Sequence, residues 1–196
     1  MCYKSNINKH VLEHAQTVVF DLDRTLIKQD SLIEQLKVIF RVSKSDFFSS
    51  LLFLVSQGRV LFKKKIFKFN ETFDKNQCAV ANIEVNEMVK KDYEIYKKNG
   101  IKVIVATASY ELTAFKVLRK IKIFPDVLIA TKKGKNLKGK MKLKALNPYV
   151  KNMKWVYYGD SKSDAPLFKS ASFAYLVTPE SINPLFDKNI QKYSSR

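Results

Sequence analysis

Thr17-Val18-Val19-Phe20-Asp21-Leu22-Asp23-Arg24-Thr25 sets two carboxylates, spaced i, i+2, directly behind a short β-branched and aromatic run. The run reads as a buried strand. Ionised carboxylates at the end of such a strand are costly to hold, and the cost is accepted mainly where a divalent cation or a reaction needs them.

Working outward, further short β-branched runs predict strands at 101–107, 127–131, 155–158 and 173–177, beside the first at 17–21. Helical patterns fall between them at 84–99, 111–120, 140–146 and 164–169. Strands alternating with helices predict an α/β fold, a doubly wound parallel sheet. Lys97-Lys98-Asn99-Gly100 reads as a helix end, with a basic last turn followed by glycine. Sites in such sheets form beyond the carboxyl ends of the strands, where strand order reverses. Asp21, Thr107 and Asp160 all fall at those ends.

About eighty residues separate the first two strands, far more than a crossover helix requires. The excess predicts a small helical cap at 28–83, inserted after the first strand into a Rossmann-like core made of 1–27 and 84–196. Leu32, Leu36, Ile39 and Phe40 mark one helical face of the cap. Phe47, Phe48, Leu51, Leu52 and Val55 mark a second, and Ile66, Phe69 and Phe73 a third. No comparable insertion separates Thr131 from Lys142, so a second cap is not expected.

Composition narrows the class. With 196 residues, 46% hydrophobic and 12% aromatic, the chain suits one compact domain. Cys2 and Cys78 are its only cysteines, so neither a disulfide framework nor a thiolate zinc site is expected. The start of the sequence lacks the apolar stretch of a cleavable leader. The longest apolar run, 47–55, falls short of the about 20 residues a spanning helix needs. The expectation is a cytoplasmic chain, at most peripheral to a membrane. A formal charge of +18 points to anionic partners, although the dominance of lysine over arginine also reads as a general bias. The most basic stretch, 116–169, has few aromatic residues, and most of them lie on predicted buried strands. Single-strand binders expose such rings, so nucleic acid is not an expected partner.

Four segments occur in order: Asp-x-Asp-x-Thr at 21–25, the strand ending in Thr107, Gly139-Lys140-Met141-Lys142, and Tyr158-Gly159-Asp160-Ser161-Lys162-Ser163-Asp164. Together they resemble the haloacid dehalogenase superfamily, in its phosphoserine-phosphatase-like branch, over residues 17–179. The resemblance implies magnesium-dependent hydrolysis of a phosphomonoester through an aspartyl-phosphate on Asp21. Asp23 would protonate the leaving group and later deprotonate water, while its backbone carbonyl ligates the metal. Thr25 would hold the loop by side-chain-to-backbone hydrogen bonds. Thr107 would donate to a phosphoryl oxygen, with N–H groups from Ala108 and Ser109 beside it. Lys142 would screen Asp21 and the phosphate, with Lys144 as the alternative register. Asp160 would ligate Mg2+ directly and Asp164 through water or from an outer position. Magnesium also suits the chemistry itself, because a carboxylate and a phosphate dianion repel and a hard, oxygen-seeking cation bridges them.

The second acid, Asp23, argues against dehalogenation. Arg24 departs from the small residues common at its position, and either crowds the entrance or offers a fork to an anionic substrate. The cap's acidic position falls near Asp30, and Phe67 stands where an arginine would hold phosphoserine, so phosphoserine is not the expected substrate. Residues 59–69 mix basic and aromatic side chains as interfacial helices do. With Asn136-Leu137-Lys138-Gly139 they are similar to phosphatase domains fused to prenyltransferases. This implies a bulky or lipid-linked phosphate ester and contact with anionic membrane, against a plainer packed cap over a small soluble ester. Phosphotransfer or mutase chemistry on the same motifs is the alternative activity, and a polyanion-binding module the alternative from another class.

Overall fold

Six strands form one sheet in the computed structural model, which describes residues 7–73, 83–132 and 136–185. They are β1 (Thr17–Phe20), β2 (Lys102–Tyr110), β3 (Val127–Thr131), β4 (Trp155–Gly159), β5 (Phe173–Val177) and β6 (Ile182–Leu185), in the order β3-β2-β1-β4-β5-β6. All neighbours are parallel except β5 and β6. From β1 the chain winds outward through β2 and β3, then returns to β4 on the other side of β1. Strand order therefore reverses between β1 and β4, which opens a crevice at their carboxyl ends.

Both faces of the sheet are covered, as the unbroken burial of β1 requires. Val18 and Phe20 join one core with Val89, Tyr93 and Tyr96 of α4 (Glu87–Lys98) and Ala114, Val117 and Leu118 of α5 (Glu111–Lys120). Val11 of α1 (Lys9–His14) caps that core. Val19 faces the other way, onto Leu146 and Val150 of α6 (Lys140–Val150) and Leu167 and Phe168 of α7 (Ala165–Ser170).

The inserted residues form α2 (Ser31–Val42) and α3 (Lys44–Phe73). Asp30 starts α2 by accepting from the Leu32 and Ile33 N–H groups. The three separate faces read from the sequence need correction, because the second and third belong to one continuous helix of 30 residues. Ile39 of α2 with Phe62 and Ile66 of α3 form the packed centre of the cap, with Leu32, Leu36, Phe47 and Leu54 against them. Phe40, Phe48, Leu51, Leu52 and Val55 are exposed, Val55 at 86%. The side chains of Phe53, Phe67, Phe69 and Phe73, and both cysteines, lie outside the described residues. The chain enters and leaves the insertion through neighbouring stems: Ile27 bridges Val85, and the Lys28 N–H donates to the Glu84 carbonyl at 3.0 Å. Among the described residues no helix is long and apolar enough to cross a membrane.

Several boundaries differ from expectation for local reasons. The helix expected from residue 84 starts at Glu87, because Asn86 caps it and residues 84 and 85 are committed to the stem. β2 does not stop at Thr107. It continues to Tyr110 through an irregular register between Ala106 and Tyr110. α6 runs to Val150 with Pro148 inside its last turns.

Candidate active site

The crevice between β1 and β4 is built by backbone geometry first. The Asp21 N–H still donates to the Tyr158 carbonyl at 2.9 Å, so Asp21 is held in sheet geometry beside the end of β4. Its Oδ1 accepts from the Leu22 N–H at 2.7 Å and its Oδ2 from Lys142 Nζ at 2.8 Å. Lys142, only 2% exposed, also donates to Asp164 Oδ1 at 3.0 Å and to the Tyr157 hydroxyl at 3.3 Å. Lys144, the alternative register, is exposed on the outside of α6. Gly139 makes this placement feasible: it adopts φ 55°, and a Cβ there would sit 3.1 Å from the Ser163 carbonyl. The start of α6 can thus press against the loop that carries Asp164.

Asp160 and Asp164 come from the turn after β4. With Asp21 they can each offer a carboxylate oxygen, all within 4.8 Å of one another. Three carboxylates against one ammonium leave two negative charges. An all-oxygen donor set of that charge fits a hard divalent cation such as magnesium. The Asp23 side chain stands apart from this cluster. It accepts from the Ser31 N–H at 2.8 Å and from the Ser109 hydroxyl at 2.5 Å, and the Ser31 and Ser109 hydroxyls are themselves 2.9 Å apart. The first residue of α2 and the end of β2 thus grip Asp23 between them.

Electrostatics follow burial. Burial raises Asp21 to about 7, with Asp164 adding repulsion and Lys142 pulling the other way. Burial raises Asp160 to about 6, helped by Asp164. Asp23 is raised by burial and then by Asp30, which favours a carboxyl that can donate a proton. Burial alone would push the Lys142 ammonium down, but Asp21 and Asp164 outweigh it and hold the lysine charged. Raised carboxylates mean that the folded chain binds more protons than the unfolded chain from near 3.8 up to about 7. Their contribution to stability is therefore lost as pH rises through that window. A bound divalent cation reverses the penalty. The increment in melting temperature from added magnesium is expected to be larger at about pH 8 than at about pH 5, where protons compete for the same oxygens. Equal increments in paired melting scans would count against the cluster as the metal site.

One expected contact differs. Thr25 is wholly buried, but its hydroxyl has no hydrogen-bond partner among the described residues, so it does not make the side-chain-to-backbone bond expected of it. The loop is held instead by its backbone, Ile27 N–H to Leu22 carbonyl and Arg24 N–H to Gln29 carbonyl, both 3.1 Å. Thr107 is buried and accepts from the Ser109 N–H at 3.0 Å, while Ala108 and Ser109 line the cleft above it. The cleft holds about 330 Å³ and runs from Asp21, Asp23 and Asp160 to the cap residues Leu32, Leu54 and Phe62. Ser31, Tyr157 and Lys63 were not singled out from the sequence. Alternation along β4 was the one signal available for Tyr157, since it puts that side chain on the α6 face. Nothing local marks Ser31 or Lys63, because only the folding of the cap over the sheet brings them near.

A mostly parallel sheet wound both ways from β1, with carboxylates at its reversal point, defines a Rossmann-like α/β core. The sequence pattern described as haloacid dehalogenase-like hydrolase matches residues 18–169, and the chain belongs to that family. No curated protein shows a matching sequence. Among solved structures, a protein of unknown function from Bordetella pertussis Tohama I is 14% identical over 82% of this chain and 89% of its own, with a TM-score of 0.62. A haloacid dehalogenase-like hydrolase from Streptococcus pneumoniae is 14% identical over 92% of this chain and 91% of its own, at 0.58. A substrate-bound phosphoserine phosphatase is 18% identical over 82% of this chain and 84% of its own, at 0.53. At these identities the likeness speaks for a shared fold.

Proposed function

We propose that the chain is a magnesium-dependent phosphomonoester hydrolase working through an aspartyl-phosphate. The observation that carries this reading is the convergence of Asp21, Asp160 and Asp164 around buried Lys142, with Asp23 held separately. Asp21 attacks phosphorus, the bond to the leaving oxygen breaks, and that oxygen takes the proton of Asp23. In the second step water gives a proton to Asp23 as it attacks the aspartyl-phosphate, releasing inorganic phosphate and restoring Asp21. Lys142 remains charged throughout, steadies the Asp21 carboxylate and offsets charge on the phosphoryl oxygens. Asp21, Asp160, Asp164 and the Asp23 carbonyl would hold Mg2+, which neutralises the repulsion between nucleophile and phosphate when bound. Phosphate release from p-nitrophenyl phosphate is expected with magnesium and not with a chelator. Undiminished release in the chelator would overturn the metal assignment.

A lipid-linked ester is the finer reading of the substrate, supported by the exposed stripe Phe48, Leu51, Leu52 and Val55 on α3. Spacing of i, i+3, i+4 and i+7 puts these side chains on one helix face, and exposed Arg41 and Lys44 lie nearby in the chain. A net charge of +18 opposes pairing of two copies across this stripe and favours an anionic bilayer. The protein is expected to float with phosphatidylglycerol vesicles at low salt and Leu52→Glu/Val55→Glu to stay in the pellet. Wild-type protein left in the pellet would remove the lipid reading while leaving the hydrolase intact.

A further inference from the structure

We propose that the substrate's leaving group carries a second anionic group, a carboxylate or a further phosphate, received by Arg24 and Lys63 with Lys138 at the rim. This rests on the phosphomonoesterase reading above and adds to it the chemical class of ester.

Three cations line the cleft, and they reach it from three different segments: the loop after β1, cap helix α3, and the segment before α6. Lys142 and a divalent cation already match the charge of the carboxylate cluster, to which Arg24 adds an attraction for Asp160. Arg24 sits at φ 56°, in the left-handed region that disfavours any side chain. Of the three non-glycine residues with positive φ among the described residues, it is the one that lines the cleft. Backbone strain maintained at the mouth of a site points to a role for the side chain it directs. Its guanidinium makes no hydrogen bond among the described residues. Its ion-pair partner is Asp30, at 3.6 Å, longer than a hydrogen bond, and Asp30 Oδ1 is already occupied in capping α2. A planar fork beside a loosely held carboxylate is suited to exchange that contact for a bidentate one with a carboxylate or phosphate.

Lys63 comes from the cap and crosses to the core, donating to the Ala108 carbonyl and, at 2.9 Å, to Asn136 Oδ1. Ala108 follows Thr107, so this ammonium stands between the phosphoryl end of the cleft and the cap. Leu32, Leu54 and Phe62, also from the cap, give the cleft an apolar wall. A volume of about 330 Å³ seats a phosphoryl group with a leaving portion of sugar size, so the second anion lies close to the ester. Any lipid chain would then project beyond the cleft.

Matched esters test this. Glycerol 3-phosphate is compared with 3-phosphoglycerate for a carboxylate, and fructose 6-phosphate with fructose 1,6-bisphosphate for a phosphate. In at least one pair the doubly anionic ester is expected to have a kcat/KM about tenfold or more higher, mainly through KM. The pair that shows it identifies which anion is meant. The ratio is expected to fall toward one in Arg24→Gln and Lys63→Met, whatever their absolute rates. Hydrolysis of p-nitrophenyl phosphate with no preference in either pair, or a preference unchanged in both variants, overturns this inference alone. Failure to hydrolyse any ester, p-nitrophenyl phosphate included, overturns the phosphomonoesterase reading and this inference with it.

Discussion

Asp21→Asn is expected to lower turnover of p-nitrophenyl phosphate by roughly 10⁴-fold or more while leaving the fold in place. An amide cannot attack phosphorus to form an acyl phosphate, so the loss follows from chemistry and not from geometry. The structural penalty is modest. Asp21 accepts from two donors, the Leu22 N–H and Lys142 Nζ, and an amide can accept from one of them only. Either the Leu22 N–H or the ammonium then meets an NH₂ group. Lys142 keeps Asp164 and the Tyr157 hydroxyl, and Asp164 is relieved of a like charge. These effects oppose each other, so the melting temperature is expected to stay within a few degrees of wild type. Far-ultraviolet circular dichroism and a melt on the same sample separate a dead site from an unfolded one. Asp21→Asn that is folded yet turns over at wild-type rate would remove Asp21 as nucleophile.

The sheet was readable in the sequence because its signals are local. Thr17–Phe20, Val127–Thr131 and Phe173–Val177 are short β-branched runs separated by helical periods, and β3 and β5 fall where those runs do. The clustering of Asp21, Asp160 and Asp164 was legible for the same reason: residues at the carboxyl ends of adjacent parallel strands meet wherever the strand order reverses. Short elements left no such trace. α1 has six residues, too few for a helical period, and β6 has four, one of them Pro184, tolerated because the strand is at the sheet edge. The cap was half legible. Its apolar residues predicted helices, but an apolar face in sequence does not say whether anything covers it, and Phe48, Leu52 and Val55 are left facing solvent. Thr25 misled in another way, since its residue type suits a loop hydrogen bond that the backbone makes without it. The grip of Ser31 and Ser109 on Asp23 joins residues 78 apart and depends on where the cap rests.

Lys142→Met is expected to be the most destabilising single change in the site, by about 3–5 kcal/mol in metal-free protein at about pH 8. Methionine fills much of the same space, so the loss is electrostatic and not a cavity effect. Without the ammonium, Asp21 and Asp164 face each other buried and unscreened. For a domain of this size that amounts to a fall of roughly 10 °C in melting temperature. The pH dependence identifies the cause. Removing the cation raises the Asp21 carboxyl further above its unfolded value. The folded variant then binds more protons than its unfolded chain over a wider range, and its deficit grows as pH rises. At about pH 5 Asp21 is largely protonated and the deficit should shrink to about 1 kcal/mol. Magnesium at high pH should restore part of the loss by supplying charge to the same oxygens. Lys144→Met, two residues away and exposed, should change stability by less than about 0.5 kcal/mol under every condition. Urea unfolding of both variants at two pH values, with and without magnesium, distinguishes the cases. If Lys142→Met matched wild type at high pH without metal, Lys142 would not be the charge that holds Asp21 and Asp164 together.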